Sequence, residues 1–281
     1  MLFYLAQKHA LPGQEVVDAG AFTGGSARGL AAGLASRPDR HEFLKRVHSF
    51  DRFEVTSPLY KRLLLDTAEI GDSFLPHYLH NVRPWADYVN VYPGDFTKIA
   101  WLGHPISILF CDICKTPALD RHMWHEFATA MVPGTSIMVQ QDFIHIQAPF
   151  VHVALGHFHD HFDFLGIFGS SLVLRYREEI TAAAAKRSSQ TYKEGSLDEQ
   201  LQAISNLEER IETFGHSEAM GTLGLVKAAL MVRAGQTGLA ADQLRDVKDK
   251  FANVDNPHYL ARVRDIEKRV DAGEDPTGQE I

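Results

Sequence analysis

The run Val-Val-Asp-Ala-Gly-Ala-Phe-Thr-Gly-Gly-Ser-Ala, from Val16 to Ala27, constrains this chain more than any other segment. It reads as a short buried strand, a tight glycine turn and the start of an alanine-rich helix. Asp18 closes the strand, and Gly20 lets the backbone turn sharply into Ala21 and Phe22. Gly24 and Gly25 leave room for a ligand to approach the main chain, and Ser26 stands where a helix N-cap is expected. Such a turn aims backbone N–H groups and the positive end of a helix dipole over the strand end, the geometry of a nucleotide-like site.

Two nucleotide motifs fail here. A P-loop closes its glycine run with a lysine before Ser or Thr, and this run has no lysine. A dinucleotide fingerprint wants glycine where the bulky Phe22 stands.

Strands and helices alternate beyond the turn, which predicts an α/β fold with a mostly parallel sheet. Residues 27–34 read as helix, and residues 41–47 as helical or irregular. His48–Asp51 reads as a strand end, and an acid closing the second strand is placed to bond ribose hydroxyls. Residues 59–81 read as a helix burying Leu63, Leu64, Ile70 and Phe74. Tyr88–Tyr92 is a third strand, closed by Pro93-Gly94-Asp95-Phe96; Asp95 and Phe96 would lie beside an adenine, or the Gly-Asp pair simply makes a turn. Ile106–Cys111 is a fourth strand ending at Asp112, Pro117–Met131 a helix, and Ser136–Gln140 a fifth strand followed by Gln141 and Asp142.

A right-handed crossover makes the fourth and fifth strands parallel neighbours, so Asp112 and Asp142 are expected at one sheet edge. Paired carboxylates there suit a hard divalent cation such as Mg²⁺, or one acts as a general base; strand-end aspartates also cap loops. His145, three residues past Asp142, is a second candidate to take a proton from a hydroxyl.

Asp-x-Gly-x-x-x-Gly-Gly-Ser, Phe50-Asp51-Arg52-Phe53-Glu54, Gly94-Asp95-Phe96, Phe110-Cys111-Asp112 and Pro133-Gly134 followed by Val139–Phe143 form an ordered set over residues 15–145. This set resembles class I S-adenosylmethionine-dependent methyltransferases, in particular the macrocin O-methyltransferase-like group, which methylates hydroxyls of sugars and natural products, several members with bound magnesium. The resemblance implies a Rossmann-like seven-stranded sheet with helices on both faces, closed by an antiparallel hairpin. It implies S-adenosyl-L-methionine as cofactor: Asp18 and Gly20 along its methionine part, with Ala21, Phe22, Gly24, Gly25 and Ser26 in the same turn, Asp51 and Arg52 at the ribose, and Asp95 and Phe96 at the adenine. Asp112 would be metal ligand and base, with Gln141 and Asp142 as further ligands. Two positions depart from the group: Gln141 replaces the first of two adjacent aspartates, and Lys115 and Thr116 stand where a second acid follows Asp112. Both changes weaken a Mg²⁺ site.

Composition supplies exclusions. The formal charge of −8 over 281 residues gives no basic footprint for nucleic acid. No apolar run approaches the ~20 residues of a membrane helix. Residues 1–9 lack the pattern of a secretory signal, so a cytoplasmic location is expected. Cys111 and Cys114 form a C-x-x-C with no further cysteines, which reads as reduced thiols rather than a zinc site.

Five histidines cluster at positions 145, 152, 157, 159 and 161. Were 147–162 one helix, His157 and His161 would share a face and chelate zinc; otherwise the cluster is exposed or hydrogen-bonded. Phe164–Phe168 and Ser171–Tyr176 read as the closing hairpin. Domains are expected at 1–179 and 196–281, joined by a linker at 180–195 that is helical or flexible. The C-terminal part opens with a capping box at Ser196 and Glu199 and continues as helices near 217–233, 238–252 and 257–270. Those helices pack on the core, form a homodimer or make a repeat. The sequence thus points to methyl transfer onto a small-molecule hydroxyl, or else to a non-catalytic cofactor-binding scaffold whose helical tail recruits a partner.

Overall fold

A computed structural model describes residues 1–56 and 68–272 of the chain. Its α/β architecture is a mostly parallel seven-stranded sheet in the order β3-β2-β1-β4-β5-β7-β6. The strands are β1 (Glu15–Ala19), β2 (Val47–Asp51), β3 (Val89–Pro93), β4 (Ile106–Cys111), β5 (Ile137–Gln140), β6 (Phe162–Phe168) and β7 (Ser171–Tyr176). Every residue of β1 and of β4 is buried, the signature of central strands covered on both faces.

The chain divides into two compact units, 1–113 with 126–139 and 114–125 with 140–281. In the first, β1 pairs in parallel with β2 on one side and β4 on the other, while β2 pairs with β3. Helices α1 (Leu2–His9), α2 (Gly25–Ala35) and α3 (Leu75–Val82) belong to this unit, and α1 packs on α2. Around β2 and β3 lies an aromatic cluster: Phe50 stacks on Tyr92 at 4.7 Å, and Phe96 stacks on Phe127 at 4.7 Å.

The second unit holds α4 (Pro117–His122), α5 (Pro149–His157), the antiparallel β6–β7 hairpin and five consecutive helices. These are α6 (Ala182–Glu194), α7 (Leu197–Glu212), α8 (Ser217–Arg233), α9 (Thr237–Lys250) and α10 (Pro257–Ala272). The 180–195 segment is therefore mostly helix. Helix α7 opens with the anticipated capping box of Ser196 and Glu199. Helix α5 approaches α7 so closely that a Cβ on Gly156 would lie 1.9 Å from the Ala203 carbonyl oxygen. Among the described residues no helix is long and apolar enough to cross a membrane.

Several expected elements take a different form. Of the expected 59–81 helix, residues 59–67 with Leu63 and Leu64 lie outside the described residues; Leu75–Val82 is helical, and Ile70 is 63% exposed in a turn beside Gly71. The expected 117–131 helix is α only to His122, then widens to a π turn at Met123–Phe127 and tightens to a 3₁₀ turn at Ala128–Ala130. Such a change of pitch rotates the side chains that follow. Trp124 is buried against Phe158 and Phe162 in its unit, while Phe127 is buried against Phe50 and Phe96 in the other. The expected 147–162 helix stops at His157, so His161 is not on its face; His161 Nδ1 contacts the Glu178 carbonyl instead.

Gly20 fixes the exit of β1. Its φ of +97° is strained for any side chain, and a Cβ there would meet the Asp112 carbonyl carbon at 2.6 Å. Gly20→Ala is expected to lower the unfolding free energy by about 3 kcal/mol, read as a reduced urea midpoint at unchanged slope.

Candidate functional site

Strand β1 lies where the strand order reverses, with β2 leading one way and β4 the other. Open α/β sheets bind ligands in a crevice at the carboxyl ends of the strands that flank such a reversal. The walls are close: the Asp112 N–H donates to the Ala19 carbonyl at 2.8 Å, and the Gly20 and Ala21 N–H groups both donate to the Phe50 carbonyl.

Asp51 governs this edge. Its Oδ2 accepts from the Phe22 N–H at 2.9 Å, and its Oδ1 accepts from the Phe53 N–H at 2.8 Å. Both phenylalanines have positive φ, +43° and +53°, so one carboxylate holds two left-handed loop residues in place. Burial raises the Asp51 pKa, against the lowering by the Phe53, Phe22 and Arg52 backbone amides. Arg52 itself is exposed.

Asp18 is fully buried at the end of β1. Its Oδ2 accepts from the Ser49 hydroxyl at 3.1 Å, whereas its Oδ1 has no hydrogen-bond partner. Burial pushes its pKa up to about 7; the Ser26 and Ser49 hydroxyls oppose the shift, and the charges of Asp112 and Asp51 add to it. Tyr78 of α3 has an equally unpartnered buried hydroxyl, and burial raises its pKa. Ser49 and Tyr78 have no motif to mark them in the sequence. Their only signal is position, Ser49 on the strand beside β1 and Tyr78 on an amphipathic helix.

The glycines act differently from expectation. Gly24, at φ +88°, is itself the N-cap of α2, and Ser26 lies inside the first turn. A Cβ on Gly24 would meet Val82 at 2.9 Å and the Tyr78 ring at 3.2 Å, so this glycine admits α3 rather than a ligand. Gly25 is exposed with open space around its Cβ direction. Asn81 adds a hydrogen bond to the Thr23 carbonyl at 2.9 Å, and Phe22 packs edge-on against Phe74.

At the end of β3, Asp95 accepts from the Thr97 N–H and hydroxyl and caps the following turn. Those Thr97 bonds are the main reason its pKa falls, with Lys98 adding to them. Phe96, only 2% exposed, is spent on the aromatic core and offers no ring face to an adenine.

In the second unit, Asp142 N-terminates a turn in which the His145 N–H donates to the Asp142 carbonyl at 3.0 Å. The turn brings His145 Nδ1 to 3.3 Å from Asp142 Oδ1. Lys115 Nζ pairs with Asp142 Oδ2, and the Asp142 side chain is only 8% exposed. Arg262 of α10 donates to the Ile144 carbonyl and pairs at 2.7 Å with Glu218, whose other oxygen accepts from Asn256. Burial lowers the His145 pKa; Asp142 opposes this, and the cations Lys115 and Arg262 reinforce it. His152, by contrast, is a core residue with both ring nitrogens on carbonyls, those of Ala148 and Phe143.

Two of the three expected metal ligands, Gln141 and Asp142, are engaged with protein partners. The Gln141 amide donates to Ser170 at 2.7 Å and accepts from Ser171 at 2.5 Å, locking the hairpin turn. Both oxygens of Asp142 face cationic or ring-nitrogen partners. A +2 ion about 4 Å from an ammonium is repelled by roughly 8 kcal/mol at an effective dielectric of 20. Among the described residues no group of three or more His, Cys, Asp or Glu is arranged to hold a metal, and Cys111 and Cys114 are buried and not joined in a disulfide.

The chain matches no protein-family profile and no curated protein. Among solved structures it is similar to that of the O-methyltransferase NovP, at 13% identity and a TM-score of 0.43, over 59% of this chain and 72% of that one.

Asp18 makes stability depend on pH. Its folded pKa of about 7 exceeds the ordinary 3.8, so its contribution is complete below pH 3.8 and lost as pH rises through 7. The loss amounts to about 4 kcal/mol. Urea melts of wild type and Asp18→Asn at pH 4.5 and pH 8 are expected to show a steeper fall with pH in the wild type.

Proposed function

We propose that this chain is an S-adenosylmethionine-dependent methyltransferase acting on a hydroxyl of a small molecule, a sugar or secondary metabolite. The observation that carries the reading is the buried Asp18 with an unpartnered oxygen, placed at the carboxyl end of the strand where the sheet order reverses. A ligand with a cationic group answers that oxygen, since an unpaired buried acid is costly. The donor set suits the methionyl ammonium at Asp18 and ribose hydroxyls at Asp51, whose oxygens each retain a lone pair beside their amide bonds. Gly20, Ala21 and Phe22 shape the turn, Gly25 and Ser26 border it, and Asp95 is the acceptor nearest in sequence to the third strand end.

S-adenosylmethionine, when bound, would supply an activated methyl group whose sulfur departs as a neutral thioether. An acceptor hydroxyl that takes such a methyl group must lose its proton. In this reading His145 takes that proton. With Nδ1–H directed at Asp142, Nε2 is left as the acceptor, and a lowered pKa keeps the ring neutral at pH 7. Asp142 holds the ring's orientation and stabilises the imidazolium that forms. Asp112, at the end of β4, is assigned to orienting the acceptor. Alignment contributes on the order of 7–11 kcal/mol in such reactions and a general base a factor of about 10²–10⁴.

Calorimetry with S-adenosylmethionine, S-adenosylhomocysteine and NAD tests the cofactor. The two sulfur nucleosides are expected to bind, with Asp51→Asn weakening them about tenfold, or 1.4 kcal/mol. Binding of NAD alone overturns the reading. Release of S-adenosylhomocysteine over a panel of hydroxylated glycosides tests the chemistry. His145→Gln is expected to lower kcat about a hundredfold with unchanged cofactor affinity. Wild-type kcat should fall with acid through an apparent pKa below 6.5, because the base is then protonated.

A further inference from the structure

The least expected feature of the second unit is the cation on Asp142. Asp142 is nearly buried, and a carboxylate removed from water must be balanced by a fixed positive charge or by hydrogen bonds. Lys115 provides that charge from the loop before α4, four residues after the end of β4. The remaining oxygen faces His145, and the neighbouring amide of Gln141 is bound at both ends to Ser170 and Ser171. Arg262 closes a further side by bonding the Ile144 carbonyl within the same turn. The side-chain oxygens of Asp142 and Gln141 are therefore already engaged by protein partners.

We propose that Lys115 is the resident cation of this site: its ammonium, fixed on Asp142, does the charge balancing of a divalent metal and keeps such an ion out. A lysine in this role has consequences that a metal lacks. The charge survives chelators and is one unit rather than two, matching the single carboxylate it pairs with. The inference deepens the assignment of this turn as the proton-handling site, and it stands or falls on ion binding, whatever the cofactor.

The test uses Mn²⁺ as probe with the full chain, followed by the room-temperature electron paramagnetic resonance signal of the free ion. Wild type is expected to leave the signal unchanged up to about 1 mM ion, while Lys115→Ala and Lys115→Asp each take up Mn²⁺ at least about tenfold more tightly. Adding Asp142→Asn to either variant should abolish the gain. Lys115→Ala serves as the second variant should Lys115→Asp fail to give a native circular dichroism spectrum. Wild-type uptake of one equivalent of Mn²⁺ that disappears in Asp142→Asn would overturn the proposal. So would two folded variants that bind no more Mn²⁺ than wild type, since Lys115 would then not be what excludes the ion. Calorimetry with S-adenosylmethionine reads a separate property, so loss of one conclusion leaves the other standing.

Discussion

One carboxylate at the end of β2 holds the candidate site in shape. Phe22 and Phe53 both adopt backbone angles that side chains resist, and both give their N–H groups to Asp51. A left-handed conformation costs an L-residue roughly 1–2 kcal/mol, while a hydrogen bond to a charged acceptor contributes roughly 1.5–3 kcal/mol. Two such bonds outweigh two such strains. They also tie the loop after β1 to the loop after β2, so the crevice edge is prebuilt rather than assembled around a ligand.

The remaining acids near that edge and in the second unit divide by how their charge is met. Asp142, in a nearly buried turn, has a lysine on one oxygen and a histidine on the other. Asp18 has only hydroxyl partners around it, and its pKa climbs to about 7. Burial is common to both residues; a cationic partner stands at Asp142 and a hydroxyl at Asp18. The first arrangement is complete without a ligand. The second leaves an oxygen and the neighbouring Tyr78 hydroxyl without partners, and that imbalance supports a ligand's cationic group being the missing component.

Much of the sheet was legible from the chain because its central strands are uninterrupted apolar runs. Ile106–Cys111 was read residue for residue, and the closing hairpin was read to within two residues at one end. Helix boundaries were less legible. The segment past His122 carries no local sign that Trp124 and Phe127 must be buried among different partners, and the pitch changes to allow it. Gly24 carries the same ambiguity. A glycine that clears space for a helix and a glycine that clears space for a ligand are the same letter, and only the approach of Tyr78 and Val82 distinguishes them.

From the order of residues alone came the alternation of strands and helices, the sharp turn at Gly20, and acids at the strand ends, because these follow from periodicity and from backbone sterics acting over a few neighbours. The fold alone decided that Phe96 belongs to the core, that Gln141 fastens a hairpin, and that Lys115 neutralises Asp142. Each of those outcomes depends on a partner 27 to 31 residues away, and which polar group meets which across such a distance is set by packing rather than by local sequence.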